Sequence, residues 1–376
     1  METGIYIHIP FCIAKCRYCS FFSVRHNEDL IEPYVDALTR EIDYRGREIA
    51  GCQVKSIYLG GGTPTILKSR YISKILNRCR DNFNFLDDIE ISIEGNPKTV
   101  IRDYLLELIK LGVNRLTIGI QSFKDNELTI LGRAHDSAEG IAAFEGARGA
   151  GFKNIGIDLI YGIPYQKERD WDYSLNMAIG LSPEHISIYS LSIEKGTLFD
   201  KYHREKRLIL LPEDEHARMY DNAYTGLKNA GYIPYEISNF SMPGHESRHN
   251  QIYWNNEEYI GFGASAYSYL NGKRYWNVSD VNKYIDNIND CGEAVSGSEA
   301  LGRKELWAEA IMLGLRKGEG IDINKLNQRF NINFAGLYKG KVARLINLGL
   351  IDLINNHLRV TNRGALVLNE VILEFI

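Results

Sequence analysis

No apolar run in the chain approaches the ~20 residues needed to cross a bilayer. The opening residues, Met1-Glu2-Thr3-Gly4-Ile5, also lack the basic region and long apolar stretch of a secretory signal. These absences exclude a transmembrane helix from the reading and predict a cytoplasmic protein, with peripheral membrane association left open. Cysteine is sparse, with six in 376 residues and three of them crowded between positions 12 and 19, which excludes a secreted disulfide framework. Cys52, Cys79 and Cys291 stand alone and read as small apolar side chains. Basic charge is not in excess either. The formal net charge is -4, so the whole chain carries no signal for nucleic acid. Residues 300–376 hold 11 Lys and Arg against 7 Asp and Glu, but these are scattered as on a solvated face. There is no internal repeat and no low-complexity tract.

What is present is a regular alternation. Ile5–Ile9, Ser56–Gly60, Ile89–Glu94, Arg115–Ile120, Asn154–Ile160 and His185–Tyr189 read as strands. The segments that follow, such as Leu30–Ile49, Tyr71–Arg80, Tyr104–Leu111 and Ala138–Gly149, repeat apolar residues at helical spacing. Six strand-then-helix units predict a parallel α/β sheet. The strands read as mostly Ile, Leu and Val with little alternation, so both faces should be covered. Six units suit a partial (β/α)6 barrel better than a closed eightfold one, although an open doubly wound sheet would give the same string. Near residue 300 the pattern changes to helices at 306–315, 322–330 and 336–348. A hairpin follows, turning at Asn355-Asn356. The chain thus divides into residues 1–298, a core with a following connecting segment, and 299–376, a smaller winged-helix-like domain.

In either sheet architecture ligands gather at the carboxyl ends of the strands. Here those ends are polar and glycine-rich: Pro10-Phe11-Cys12, Gly60-Gly61-Gly62-Thr63-Pro64, Glu94-Gly95-Asn96-Pro97, Gln121-Ser122-Phe123, and Asp158 ahead of Tyr161-Gly162-Ile163-Pro164. Cys12, Cys16 and Cys19 have the spacing C-x3-C-x2-C. Three thiolates on one loop can wrap one face of an iron–sulfur cubane. A zinc site would normally show a second pair of ligands, and the sequence offers no such block. Three ligands on four irons leave one iron open to a small molecule.

The cysteine loop after a first strand resembles the signature of the radical S-adenosylmethionine (SAM) family. The resemblance implies a [4Fe-4S] cluster on Cys12, Cys16 and Cys19, with SAM on the open iron. Gly60–Thr63 resembles the family's glycine-rich SAM turn, with Thr63 where many members have Glu. Over nearly the whole chain the likeness is to the HemN/HemW group, which holds oxygen-independent coproporphyrinogen III dehydrogenases and haem chaperones. It is carried by Ile5-Tyr6-Ile7-His8-Ile9-Pro10-Phe11-Cys12, Gly119-Ile120-Gln121-Ser122-Phe123 and Asp158-Leu159-Ile160-Tyr161-Gly162-Ile163-Pro164. The implied SAM pocket is Tyr6, Gly61, Gly62, Thr63, Glu94, Gln121, Arg133, Asp158 and Ser192.

Two features separate the branches. The dehydrogenase motif continues to a fourth cysteine, whereas Ser20-Phe21-Phe22 follows Cys19 here. The dehydrogenase also has an extension ahead of the first strand, and this sequence reaches that strand within five residues. Arg248-His249-Asn250-Gln251-Ile252-Tyr253-Trp254 resembles the H-N-x-x-Y-W motif of the chaperone branch. It implies haem as a third cofactor with His249 as a contact and Arg248 placed to meet a propionate, against the plainer reading of a loop packed on the barrel. The function implied is a haem chaperone that delivers haem to acceptor proteins and draws on an electron donor such as flavodoxin or ferredoxin. The alternative is the dehydrogenase, and a third reading, an RNA-modifying radical SAM protein, finds no clustered basic element to support it.

Overall fold

The computed structural model describes residues 2–49 and 51–376. Six strands lie side by side in chain order, each parallel to the next: β1 (Glu2–Ile9), β2 (Gln53–Gly61), β3 (Asn84–Gly95), β4 (Arg115–Gln121), β5 (Ile155–Tyr161) and β6 (His185–Ser190). They are the six runs read from the sequence, with ends moved by a few residues. The crossovers carry α1 (Glu28–Arg45), α2 (Ser69–Asn82), α3 (Arg102–Lys110), α4 (Asp125–Leu131), α5 (Ser137–Ala150) and α6 (Glu168–Leu181), and α7 (Leu198–Arg204) and α8 (Glu213–Asn229) follow β6.

Both faces of the strands are largely covered, as read, but apolar and polar residues alternate along them. Ile5, Ile7, Ile57, Leu59, Ile93, Leu116, Ile118, Ile155, Ile157 and Ile186 are fully buried in one core with residues of the helices. Each such side chain contributes about 1.5–3 kcal/mol. The residues between them, including Tyr6, Tyr58, Thr117 and Asp158, turn to the other face and meet one another inside the curved sheet. Period-two alternation with a polar inner face is what a barrel needs if its interior is to serve a ligand rather than a dry core.

The barrel stays open. Beyond β6 the sheet continues through the antiparallel β7 (Asn239–Ser241) to Ile233–Pro234. On the other edge, β8 (Tyr259–Phe262) runs parallel to β1. It leads to three antiparallel strands, β9 (Tyr267–Leu270), β10 (Lys273–Asn277) and β11 (Val295–Ala300). The segment read only as a connection therefore supplies the other six strands of a twelve-stranded sheet. Those on the β8 edge are joined to α1 by a buried hub. Glu41 accepts hydrogen bonds from Arg45 Nη1 (3.1 Å), Asn277 Nδ2 (2.7 Å), the Gly263 amide (2.8 Å) and Tyr284 Oη (2.6 Å), the last from α10 (Val281–Cys291).

Residues beyond 300 form α11 (Arg303–Arg316), α12 (Ile323–Phe330) and α13 (Phe334–Asn347), with a three-stranded sheet of β12 (Ile321–Asp322), β13 (Ile351–Ile354) and β14 (His357–Val360). Their apolar residues make a cluster of their own around Ile311, Phe334, Ile351 and Phe375. Asn355 (φ 50°) and Asn356 (φ 65°) turn the hairpin in the left-handed region that such tight turns require. No helix among the described residues is long and apolar enough to cross a membrane.

Candidate cofactor site at the carboxyl ends of the strands

The loop after β1 is held by its backbone. Gly62 N donates to Ile9 O (2.8 Å), Thr63 N to Phe11 O (2.8 Å), Val24 N to Pro10 O (2.7 Å) and Arg17 N to Leu131 O (3.0 Å). So anchored, the loop presents Cys12, Cys16 and Cys19 to a single cavity of about 520 Å³. Thr63 Oγ1 lies 3.7 Å from Cys12 Sγ, and Arg133 Nη1 donates to Cys16 Sγ at 3.2 Å. Burial is the main cause that pushes the Cys12 and Cys19 thiols up. Ligation by these sulfurs therefore has to release protons. Among the described residues no three His, Cys, Asp or Glu side chains converge as a single ion would require. A cubane instead offers separate corners to separate thiolates.

The strand ends complete the wall. Gly61, Gly62, Thr63, Glu94, Gln121, Arg133, Asp158 and Ser192 all line this cavity with the cysteines. A Cβ on Gly62 would sit 2.7 Å from Phe11 O and 3.0 Å from Cys12 Sγ, so glycine is required for the close approach of the turn to the cysteine loop. Gln121 has a left-handed backbone (φ 73°) at a register irregularity between β4 and β5, a placement that costs about 1–3 kcal/mol and clusters at functional sites. Arg133 is pinned between the Gly132 cap of α4 and the capping box of Asp136 and Glu139 that opens α5. Its Nη2 donates to Gly119 O at 2.6 Å.

Gln121 Oε1 and Arg133 Nε are buried without a hydrogen-bond partner. Such atoms normally have one, and here both belong to side chains that line the cavity. Two carboxylates complete the electrostatics. Burial pushes Glu94 up to about 7 against the hydrogen bond it accepts from Tyr58 Oη (2.6 Å), and neighbouring Asp158 raises it further. Burial likewise pushes Asp158 up to about 6, opposed by the Ser187 hydroxyl and by Arg133. Ser192 is exposed at the rim and donates to Glu194 Oε1 (2.7 Å). Lys15, Asn96 and Tyr189 also line the cavity. Asn96 and Tyr189 carried a usable signal, since each lies at a strand end.

Two expected residues are not in this wall. Tyr6 lies beneath it, its hydroxyl 3.0 Å from His8 Nδ1. His249 is fully buried on α9 (Arg248–Trp254), with Nδ1 2.9 Å from Ser56 Oγ and Nε2 2.8 Å from Tyr253 Oη. Both ring nitrogens of His249, the residue expected to meet haem, are thus hydrogen-bonded within the chain. Arg248 is committed to Asp88 at 2.8 Å. Of the three solitary cysteines, Cys79 is buried, Cys52 half-buried and Cys291 exposed.

An open barrel of six parallel strands, with a three-cysteine loop after the first and a glycine turn after the second, defines a radical SAM protein. The Radical SAM superfamily model matches residues 6–178, and the HemN C-terminal domain model matches residues 301–367. The chain is 36% identical over 367 residues to the haem chaperone HemW of Bacillus subtilis (strain 168), covering 97% of each. It is 34% identical to that of Lactococcus lactis subsp. lactis (strain IL1403), covering 100% of this chain and 97% of the relative. Among solved structures, the Escherichia coli coproporphyrinogen III oxidase HemN, a radical SAM enzyme, superposes with a TM-score of 0.86 at 26% identity, covering 100% of this chain and 89% of that one. The chain belongs to the HemW family of haem chaperones.

The radical SAM domain implies a [4Fe-4S] cluster and SAM, and the cavity fits both. It offers three thiols to the one and unpartnered Gln121 and Arg133 atoms, two carboxylates and a glycine cradle to the other.

Proposed function

We propose that this protein carries haem and delivers it to acceptor proteins, with its cluster and SAM in a supporting role. One observation carries the reading: alignment with a haem chaperone over 97% of both chains. Ser20-Phe21 after Cys19, with Phe21 where the dehydrogenase pattern C-x3-C-x2-C-x-C has its fourth cysteine, agrees with it.

In this reading Cys12, Cys16 and Cys19 hold the cluster. Arg133 pairs with the methionyl carboxylate of SAM, Glu94 and Asp158 accept from its amine and ribose hydroxyls, and Gly61, Gly62 and Thr63 offer backbone groups, with Gln121 and Ser192 completing the pocket. When bound, the reduced cluster supplies an electron to SAM. A flavodoxin- or ferredoxin-type donor would provide that electron, and nucleic acid is not a partner. Haem meets His249 in this reading, and the imidazole becomes free to ligate iron when it gives up its hydrogen bonds to Ser56 and Tyr253. We assign residues 1–298 to the cluster and SAM, residues 299–376 to the smaller domain, and the protein to the cytoplasm.

The test is a haem titration of the cluster-reconstituted chain, followed by mixing with an apo-haem protein. A saturable Soret shift and transfer of the band to the acceptor are expected. Incubation with coproporphyrinogen III, SAM and a reductant should leave the porphyrin unchanged, and repeated turnover to a divinyl product would replace this reading with the dehydrogenase.

A further inference from the structure

Tyr6 and His249, the two expected site residues missing from the cavity wall, meet each other beneath it. Tyr6, Tyr58 and His249 form one ring stack. Tyr58 and His249 are 5.1 Å apart between centroids with planes at 22°, Tyr6 and Tyr58 are 6.3 Å apart at 21°, and Tyr6 and His249 are 6.4 Å apart at 30°. Below the stack, Tyr253 meets His249 edge-on at 5.0 Å, and Tyr259 meets Tyr253 at 4.7 Å. Above it, Tyr58 Oη donates to Glu94 Oε1 at 2.6 Å, and Glu94 lines the cavity. A Cβ on Gly60 would come within 2.8 Å of the Tyr58 ring and 3.2 Å of the Tyr6 ring. The first glycine of the turn thus makes room for the stack.

The lower end of this column is rigidly held. Glu90 accepts from the Arg248 amide (3.1 Å) and the His249 amide (3.2 Å), and Ser247 Oγ caps α9 at the Asn250 amide (3.2 Å). The His249 ring is clamped at both nitrogens and offers its face to Tyr58. Among the described residues the Tyr58 hydroxyl bonds to Glu94 alone, so the height of its ring in the barrel is set by the rings beneath it.

We propose that Arg248–Trp254 is the floor of the SAM cavity and that His249 is a positioning residue for Glu94, acting through Tyr58. This rests on the reading of the cavity as the SAM site. Glu94 is faced by Tyr58 from β2, Asp158 from β5, Tyr6 from β1 and Tyr253 from α9, and by the Gly61 amide. The Tyr58 hydroxyl and the Gly61 amide favour its carboxylate form, whereas burial and Asp158 oppose it. Withdrawing the Tyr58 hydroxyl removes one of those two supports, so Glu94 then ionises only at higher pH.

The experiment measures SAM binding by equilibrium dialysis, as a function of pH, with the cluster-reconstituted full chain. The variants are His249→Ala and Tyr58→Phe, each with its cluster confirmed by iron analysis. Tyr58→Phe keeps the ring and so stays informative if the alanine variant fails to fold. Each is expected to bind SAM about tenfold more weakly at neutral pH, as for a lost hydrogen bond to a charged group. In each the midpoint of the pH profile should move to higher pH, and the double variant should lose little more than either single one. Unchanged affinity in both, or weaker binding with an unmoved midpoint, overturns the positioning role. Failure of the parent itself to bind SAM overturns the reading of the cavity, and the proposal with it.

Discussion

Glu41 and Glu94 are the same side chain in two sheltered regions of the molecule. In the hub between α1 and α10, Glu41 is fully buried and receives four hydrogen bonds from the chain itself, two on each oxygen. In the cavity, Glu94 receives the Tyr58 hydroxyl and the Gly61 amide, and burial pushes it up to about 7. A buried carboxylate with all its donors supplied ties elements together. One left short of donors has capacity for something the chain does not contain. Gln121 Oε1 and Arg133 Nε, buried and unpartnered beside Glu94, put the whole cavity on the second side of that distinction.

The distinction can be broken first at the thiols, where the largest effect is expected. Cys16→Ser should lose most of its cluster iron after reconstitution, while its circular dichroism matches that of the cluster-free parent. Cys16 Sγ touches Arg133 but belongs to no apolar core. Single Cys→Ser changes at 52, 79 and 291 should keep their iron. Loss of cluster in any of those three, or retention in Cys16→Ser, would mean that the cavity does not hold it.

The next effect in size belongs to the hub. Glu41→Gln leaves Arg45, itself buried, beside a neutral amide that cannot accept all four donors. Breaking a buried pair in this way costs about 3–5 kcal/mol, to be read from denaturant unfolding. SAM affinity of the folded protein should not change. If it falls as far as stability does, the two regions are not independent.

Glu94→Gln is the mirror experiment, with a smaller effect on stability and of opposite sign. Because the folded pKa of Glu94 is raised, its contribution to stability is intact below the ordinary glutamate range and is lost as pH rises through about 7. The glutamine variant escapes that loss. It should be more stable than the parent by about 1–2 kcal/mol at pH 8 and closer to it at pH 5, while binding SAM about tenfold less well. A variant less stable than the parent at pH 8 would place Glu94 with Glu41 as a structural carboxylate.

How much of this was legible in the sequence follows from the same physics. The six strands stood out because their Ile and Leu side chains must cover helices. The cavity stood out because strand ends in a parallel α/β sheet face the ligand, which located Cys12 through Asp158 without any contact being known. Tyr58 could not be found that way, since a tyrosine inside an apolar strand reads as core until its hydroxyl is seen on Glu94. The hub was hidden for a related reason: Glu41 looks like a solvated helix face, and its partners Gly263, Asn277 and Tyr284 lie more than 200 residues away. The strands from Tyr259 to Ala300 are short, and they gain their order from a ladder in which β8 pairs with β1 and β9, β10 and β11 each pair with the strand before. The burial of His249 was not legible either, because a motif gives residue types and spacing, whereas its packing depends on Ser56, Tyr58 and Glu90 on other strands.

The smallest effect concerns neither carboxylate and asks whether the separate core beyond residue 300 answers to its own local geometry. Asn355 and Asn356 both adopt positive φ between β13 and β14, and the Asn356 carbonyl accepts from the Ile323 amide at 3.1 Å, tying the hairpin to α12. Asparagine tolerates this conformation, alanine does so poorly and glycine adopts it freely. Asn356→Ala should therefore destabilise the hairpin by about 1 kcal/mol, and Asn356→Gly should leave it unchanged or slightly stabler. Trp307 provides the probe, because its ring packs among Phe330, Phe334 and Tyr338 and its Nε1 donates to Phe375 O at 2.8 Å. A shift in the unfolding midpoint seen by Trp307 fluorescence, with SAM affinity unmoved, is the expected result. Equal behaviour of the alanine and glycine variants would show that the turn is fixed by the sheet around it rather than by the backbone preference of its two asparagines.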